Sequence, residues 1–572
     1  MRVLCEDVNE SYCKLDFSEI NDPYKLAELK VMFADQLSAF TEGYKFTPSF
    51  RAGLWDGKKN FYKMVGDLMV FPKGMWKYLD RKVSKNLPDI NFEYMSNTHF
   101  ETVSKEDFDT FLKSLHLPFP PYDYQYDAAF EAINSGRMTI GAATSAGKSF
   151  IIYIIFRWML DKGIKTMLVV PNVMLVNQMY QDFVDYGFDV IEDYIVRIGG
   201  EHCKTIEEKR ELFADNLEGG MNIISTWQSL YNSPDLFSTI GCIIVDEVHN
   251  AKSEVFSDII LPGAISSKYR FGLTGTMPPG YADKLSILGA IGPHKRFVNA
   301  QGLIDRGLAT PVEIKMLFLN YSQKDKDEMK GIKKYPDEIK YIEIHKERNR
   351  LIAKYTNKIA KSGNTLVMFT KVDHGKTLME EFLRSKFGID NLLFLDKITP
   401  KSLESIPEET EKIFVNTELN SRQIGYITKA GLDQNIFEPL SKYDVFLIYG
   451  GIADEEREQI RKILETKEDA VVFASFGTMS TGVSIKRIHN IILASTTKSP
   501  IRLQQTVGRG MRLHDSKEWV KIWDFIDDFS RRNKSGNVIE NSRNHCLKHA
   551  DERMSLYLDN GYPIAEAEIE VP

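Results

Sequence analysis

From Tyr122 onward, short apolar runs alternate with longer stretches in which apolar residues recur every three to four positions. Residues 167–171 (MLVVP) precede a helical pattern from Val173, and residues 242–247 (CIIVDE) precede a polar turn. Runs this short and this apolar predict buried strands. Their alternation with amphipathic helices predicts a parallel sheet covered on both faces. The most apolar helical run, Phe150 to Leu160, already contains Arg157. It falls well short of the ~18 apolar residues that a membrane span needs.

The pattern restarts after about Pro311. A helix is predicted around residues 338–361, a strand at 364–369 and a helix from Gly375 to about Phe387. Strand-like runs follow at 444–451, 470–476 and 490–496, which makes a second α/β lobe the economical reading. Within it, residues 395–441 are long for a connection and hold Pro400, Pro407 and Pro439, so an irregular functional insertion is expected. Residues 1–116 mix short strand-like and helix-like runs and end at the joint Leu117-Pro118-Phe119-Pro120-Pro121, where prolines break any helix. Past about Phe529 the chain turns polar and basic, then helical to Leu558. The expected organisation is a small α+β N-terminal domain (1–116), a first lobe (117–305), a second lobe (306–530) with its insertion, and a helical extension (531–572).

A chain of 572 residues is too long for one core, in keeping with these divisions. The N-terminus, MRVLCEDVNE, has neither the apolar centre of a signal peptide nor the look of a transit peptide, so an intracellular protein is expected. Its five cysteines form no C-x-x-C pair, and His545, Cys546 and His549 lack a second cluster to complete a zinc site. The net charge of −7 changes the picture only locally. Between Gly43 and Lys85 ten basic residues face three acidic ones, interleaved with aromatics such as Tyr44, Phe46, Phe50 and Trp55. Cations hold phosphates, and exposed rings stack on unpaired bases. Most of these rings are expected in a small core. Trp55, in the turn-like Trp55-Asp56-Gly57, is the one expected in solvent, with Lys58 and Lys59 beside it as nucleic-acid contacts.

Two features carry chemistry. Gly141 to Ser149 (GAATSAGKS) follows a strand-like run and opens an apolar helix. Small residues there let backbone N–H groups close around phosphates at a helix N-terminus. Lys148 would reach the β/γ-phosphates, and Ser149 would ligate Mg²⁺. The strict phosphate-loop pattern asks for Gly where this chain has Ala142. Second, Cys242 to His249 is an apolar strand ending in two acids. Asp246 would hold Mg²⁺ through water and Glu247 would orient and deprotonate the attacking water. ATP and Mg²⁺ are the implied ligands.

Across 122–530 these residues resemble the superfamily 2 helicases, whose DExH box is similar to Asp246-Glu247-Val248-His249. The family's A-x-T-G-S-G-K-T is similar to Ala142–Ser149, with Ser145 in place of Gly. It assigns Thr144, Ser145, Ala146, Gly147, Lys148 and Ser149 to nucleotide, and Gln125 of Tyr122-Asp123-Tyr124-Gln125 to adenine. The resemblance implies strand contacts for Pro171 and Gln178, for Thr226 and Trp227, and for Thr481 and Gly482. Coupling falls to His249, to Thr274, Gly275 and Thr276, and to Gln505. Residues 505–512 (QTVGRGMR) fit Q-x-x-G-R-x-x-R. Arg509 and Arg512, read as sharing one helical face, are the implied arginine fingers.

The implied fold is two tandem RecA-like lobes. A closer resemblance, to the recombination helicases of tailed phages, covers Phe50–Lys58, Asp182–Tyr186, Val367–Phe369, His374–Lys376 and Trp523–Asp528. It implies branched or forked DNA and R-loops as substrates, recombination and single-strand-binding proteins as partners, and a monomer in the host cytoplasm. Two alternatives stand. One is an RNA helicase. The other is the motor of a restriction system, for which Glu28-Leu29-Lys30 with Asp16 and Asp22 would be the nuclease.

Overall fold

A computed structural model describes residues 2–572 except 87–89, 200–221, 231–236, 238, 252–254, 396–398, 408, 416–424, 427–434, 437, 453, 481–484, 498, 533–537, 540 and 541. The chain divides into two compact units, Met1–Asn299 and Ala300–Pro572. No helix among the described residues is long and apolar enough to cross a membrane.

The first unit holds a seven-stranded, wholly parallel sheet. From edge to edge its strands are Ile195–Ile198, Asn222–Thr226, Thr166–Val170, Cys242–Val245, Tyr269–Thr274, Arg137–Ala142 and His294–Val298. The inner strands are buried almost throughout, which is why they read as continuous apolar runs with no alternation.

A second, five-stranded sheet precedes it, in the order Lys63–Val65, Leu68–Pro72, Tyr12–Asp16, Arg2–Asp7, Asn91–Met95. Its core (Val3, Cys5, Leu15, Phe33, Phe71) also takes in Ala282 and Leu285 from helix Tyr281–Ala290 of the first lobe. Polar contacts join the two parts as well. The fully buried Arg270 donates to Ser11 Oγ (2.6 Å) and to the carbonyls of Ala264 (2.5 Å) and Ala290 (3.1 Å). Glu10 takes both Lys73 and Arg137 at 3.1 Å. A cut at the proline joint would therefore strip partners from buried guanidiniums, and residues 1–116 share one compact unit with the lobe.

The second unit carries its own seven-stranded parallel sheet, ordered Val445–Ile448, Val471–Ser475, Thr365–Phe369, Asn490–Leu493, Val520–Asp528, Val312–Asn320, Ile564–Glu570. Three details differ from expectation. The helix predicted over 338–361 is two, Tyr335–Ile344 and Lys346–Ile359, broken at His345, whose ring caps the second by accepting the Arg348 N–H. After helix His545–Asp559 the chain returns as an edge strand, Ile564–Glu570, whose sequence IAEAEIE has the two-residue period of a half-exposed strand. And two short strands of the insertion, Lys412–Val415 and Glu438–Pro439, form a small parallel sheet with Leu392–Leu395, which leads into it.

Two buried ion pairs bind this lobe internally. Arg348 clamps Asp527 (2.5 and 3.0 Å), which also accepts from Tyr321, and Arg553 clamps Asp524 (2.8 and 3.0 Å), which also accepts from Tyr557.

Candidate active site

In a parallel sheet, ligands gather where the chain leaves the carboxyl ends of the strands. Strands Arg137–Ala142, Thr166–Val170, Asn222–Thr226, Cys242–Val245 and Tyr269–Thr274 all lead there into the segments singled out above.

The loop after Ala142 turns through two left-handed residues, Ser145 (φ 70°) and Gly147 (φ 70°), into helix Lys148–Asp161. No side chain caps that helix, so its first N–H groups and partial positive charge face the loop, as phosphate binding needs. A Cβ on Gly147 would sit 2.5 Å from the Gln125 amide nitrogen, so glycine serves both conformation and space. Gln125 is buried and committed to the loop. Its Nε2 donates to Ala146 O (2.9 Å), its Oε1 accepts from Tyr122 N, and Tyr124 OH donates to the same carbonyl. The Gln125 side chain thus supports the phosphate loop directly.

Opposite the loop, Asp246 is buried and accepts the Glu247 N–H (2.9 Å), while Glu247 stands in the left-handed region (φ 46°). Lys148 Nζ lies 3.1 Å from Glu247 Oε1. Burial first, then the Glu247 charge, push the Asp246 carboxyl up to about 7 against the pull of Lys148. Two adjacent carboxylates, one of them buried, and the hydroxyl of Ser149, which follows Lys148 in the chain, are the hard-oxygen donor types that suit Mg²⁺. Ser149 Oγ is 2.8 Å from Tyr186 OH.

A polar chain continues from there. His249 Nδ1 lies 2.6 Å from Thr274 Oγ1 and 3.3 Å from Glu247 Oε2. Thr274 Oγ1 donates to Thr276 O (2.8 Å), which leaves His249 Nδ1 as donor; burial lowers this ring's pKa and keeps it neutral. Gly275 lies against Thr144 and Ala142, at a distance where a Cβ would make ordinary contact. The structure thus brings together Lys148, Asp246, Glu247, His249, Thr274 and the phosphate loop.

Other expected contacts fare differently. Pro171 is half-buried and Gln178 exposed. Thr226 is buried, and the Trp227 ring packs in the lobe core against Phe256, so it presents no face to a strand. Thr481 and Gly482 lie outside the described residues. Gln505 and Arg509 sit on helix Pro500–Gly510, but the helix ends at the Met511 cap, and Arg512 lies beyond it instead of on the same helical face. Lys517, buried, caps this helix by donating to Gly510 O (2.6 Å) and Ile488 O (3.2 Å). Burial lowers its ammonium to about 8.

Trp55 is half-buried, its Nε1 donating to Lys58 O (2.8 Å), and Lys58 pairs with Asp35 (2.9 Å). Lys59 stands over the Phe61 ring. Of the ten cations counted in 43–85, Lys73 is interior, paired with Asp7. The nuclease alternative loses its residues: Glu28 and Lys30 lie on helix Pro23–Gln36, paired with Lys25 and Asp67, and Asp22 caps that helix. Tyr186, hydrogen-bonded to Ser149, adds a residue that the motifs do not assign to the site, although it falls within the Asp182–Tyr186 segment.

Residues 118–279 match the family described as type III restriction enzyme, res subunit, and residues 406–514 the helicase conserved C-terminal domain. The ATP-dependent DNA helicase uvsW of Enterobacteria phage T4 is 29% identical over 549 residues, 92% of this chain and 93% of that protein. The crystal structure of T4 UvsW aligns with all of both chains at 26% identity and a TM-score of 0.44. The type ISP restriction–modification enzyme LlaBIII, bound to DNA, aligns over 79% of this chain and 32% of its own at 14% identity, TM-score 0.53.

Proposed function

Because the chain belongs to the superfamily 2 helicases and is an ATP-hydrolysing enzyme, we propose that it is a DNA motor that remodels branched DNA: forks, migrating junctions and R-loops. The observation that carries this reading is the connected site at the carboxyl ends of the sheet's inner strands, where Lys148, Asp246 and Glu247 lead through His249 to Thr274 and Thr276.

Lys148 offsets the charge of the β- and γ-phosphates of ATP, and the uncapped helix end adds backbone donors. Ser149 and Asp246 would hold Mg²⁺, which when bound neutralises phosphate charge. Glu247 takes the proton of the attacking water. His249, a neutral donor, senses the charge on Glu247 and relays it to Thr274, so hydrolysis changes the hydrogen bonding of Thr274–Thr276. Arg509 and Arg512 act on the γ-phosphate in the transition state. Pro171, Gln178, Thr226, Thr481 and Gly482 contact the strand, the buried Thr226 and Trp227 through backbone. The N-terminal domain, with Trp55, Lys58 and Lys59, selects branched substrates, and the chain acts as a monomer in the host cytoplasm.

The test is ATP turnover measured side by side with single-stranded DNA, duplex, forked DNA, four-way junctions, R-loops and RNA. Stimulation by branched DNA above linear duplex is expected. Stimulation that requires a 2′-hydroxyl would make this an RNA motor and sink the proposal.

A further inference from the structure

Between strands Ser38–Phe40 and Lys58–Asn60, which pair antiparallel, the chain runs out and back through residues 41–57. This excursion is tightly built. Thr41 N donates to Gly57 O (3.0 Å) and closes its base. Tyr44 stacks on Phe40 (4.7 Å between centroids) and meets Phe50 edge-on (4.8 Å). Its ring lies so close to Gly57 (φ 83°) that a Cβ there would fall 2.2 Å from it. Thr47 caps the short helix Pro48–Arg51.

On this frame two large apolar side chains face water: Phe46 is 76% and Leu54 83% exposed. Cations stand on the same excursion and at its base, with Arg51 over the Phe46 ring, Lys45 over Tyr44 and Lys58 over Phe40. A folded loop that spends aromatic packing, a cap and a glycine on holding two apolar groups in solvent is built for a partner. The cations of the excursion indicate a polyanion, and two exposed apolar side chains suit the exposed face of a base pair where a duplex opens. The mounting is equally specific. Ala39, beside the base of the excursion, shares a core with Ala282 and Leu285, and Tyr78 OH meets Tyr281 OH at 2.8 Å. Helix Tyr281–Ala290, which carries those residues, begins five positions after Thr276.

We propose that residues 41–57 form a pin whose tip, Phe46 and Leu54, stacks on the terminal base pair at a DNA branch while Lys45 and Arg51 hold the flanking phosphates. This rests on the reading of the chain as a motor on branched DNA. Apolar wedges at base steps and aromatic stacking on bases are established means of holding opened nucleic acid.

The test uses the full chain carrying Phe46→Ala and Leu54→Ala together, and Phe46→Trp alone. Both side chains are solvent-exposed, so the melting temperature should stay near that of the parent. A fork with 2-aminopurine at the branch reports stacking, and duplex unwound per ATP hydrolysed reports separation. The double variant should bind the fork roughly 5–100-fold more weakly, as expected for lost stacking. It should also lose the branch fluorescence change and unwind less duplex per ATP, whereas Phe46→Trp should keep binding and signal. Equal losses on linear duplex and single strands would overturn the pin, since that marks a general contact. Unaltered fork binding and unwinding would also overturn it and assign the tip to a protein partner. If the parent itself showed no stimulation by any DNA, the motor reading would have failed instead.

Discussion

Asp524 and Asp527, on strand Val520–Asp528 of the second unit, are each clamped by two hydrogen bonds from one arginine and satisfied further by a tyrosine. Burial works against the charge of the partner guanidiniums, Arg553 and Arg348, but the carboxylates beside them more than offset it and leave both more firmly protonated than usual. Asp246, at the tip of strand Cys242–Val245 in the first unit, is also buried but has a second carboxylate beside it. Lys148 balances it too weakly to keep its carboxyl in the usual acid range. The chain can neutralise a buried carboxylate thoroughly, and at Asp246 it does not. Charge left open at a strand end marks the place where a ligand completes the balance.

The largest effects should come from closing that opening. Lys148→Ala should abolish hydrolysis, and Glu247→Gln should still bind Mg-ATP yet turn over orders of magnitude more slowly. Near-normal turnover in Glu247→Gln, measured under steady state, would remove Glu247 from the role of base. Next is Arg509→Ala, with a loss of about 10³–10⁵ in turnover at nearly unchanged ATP affinity. Parallel losses in binding and rate would instead mean ground-state contacts.

The clamped and unclamped carboxylates should then part in sign. Arg348→Ala should cost about 3–5 kcal/mol in urea unfolding, because it strands Asp527 in the interior. Asp246→Asn should raise the stability of the nucleotide-free protein at pH 8 while removing hydrolysis, since it deletes a buried charge that Lys148 offsets only in part. Destabilisation by Asp246→Asn would show that the carboxylate is balanced by the protein after all.

These signs also show what the sequence could convey. The phosphate loop and the acidic strand end are local patterns, a few residues whose spacing implies their geometry, and they lie where the pattern places them. The clamp of Arg348 on Asp527 joins residues 179 apart and has no local signature. Side-chain direction was equally hidden. Trp227, expected against a nucleic-acid strand, and Trp55, in a turn-like setting, are polar-capable rings, yet tertiary packing turns one into the core and half-buries the other, while Phe46 and Leu54 reach solvent. The two arginines do not share one helical face for a local reason, because the helix stops before Arg512. The final strand was legible in the alternation of IAEAEIE.

The smallest effect concerns the phosphate loop itself. Ser145 and Gly147 share φ of 70°, but only one is glycine, and a side chain held in the left-handed region costs about 1–3 kcal/mol. Ser145→Gly relieves that strain and returns part of the gain as extra freedom of the unfolded chain, about 0.5–1 kcal/mol. The net expectation is a gain of about 1 kcal/mol in urea unfolding, with hydrolysis retained. Gly147→Ala should do the reverse, since its new Cβ would fall 2.5 Å from the Gln125 amide nitrogen. If Ser145→Gly lowered stability, the hydroxyl of Ser145 would outweigh its backbone strain, and the first lobe would hold its phosphate loop by side-chain bonding much as the second lobe holds its carboxylates.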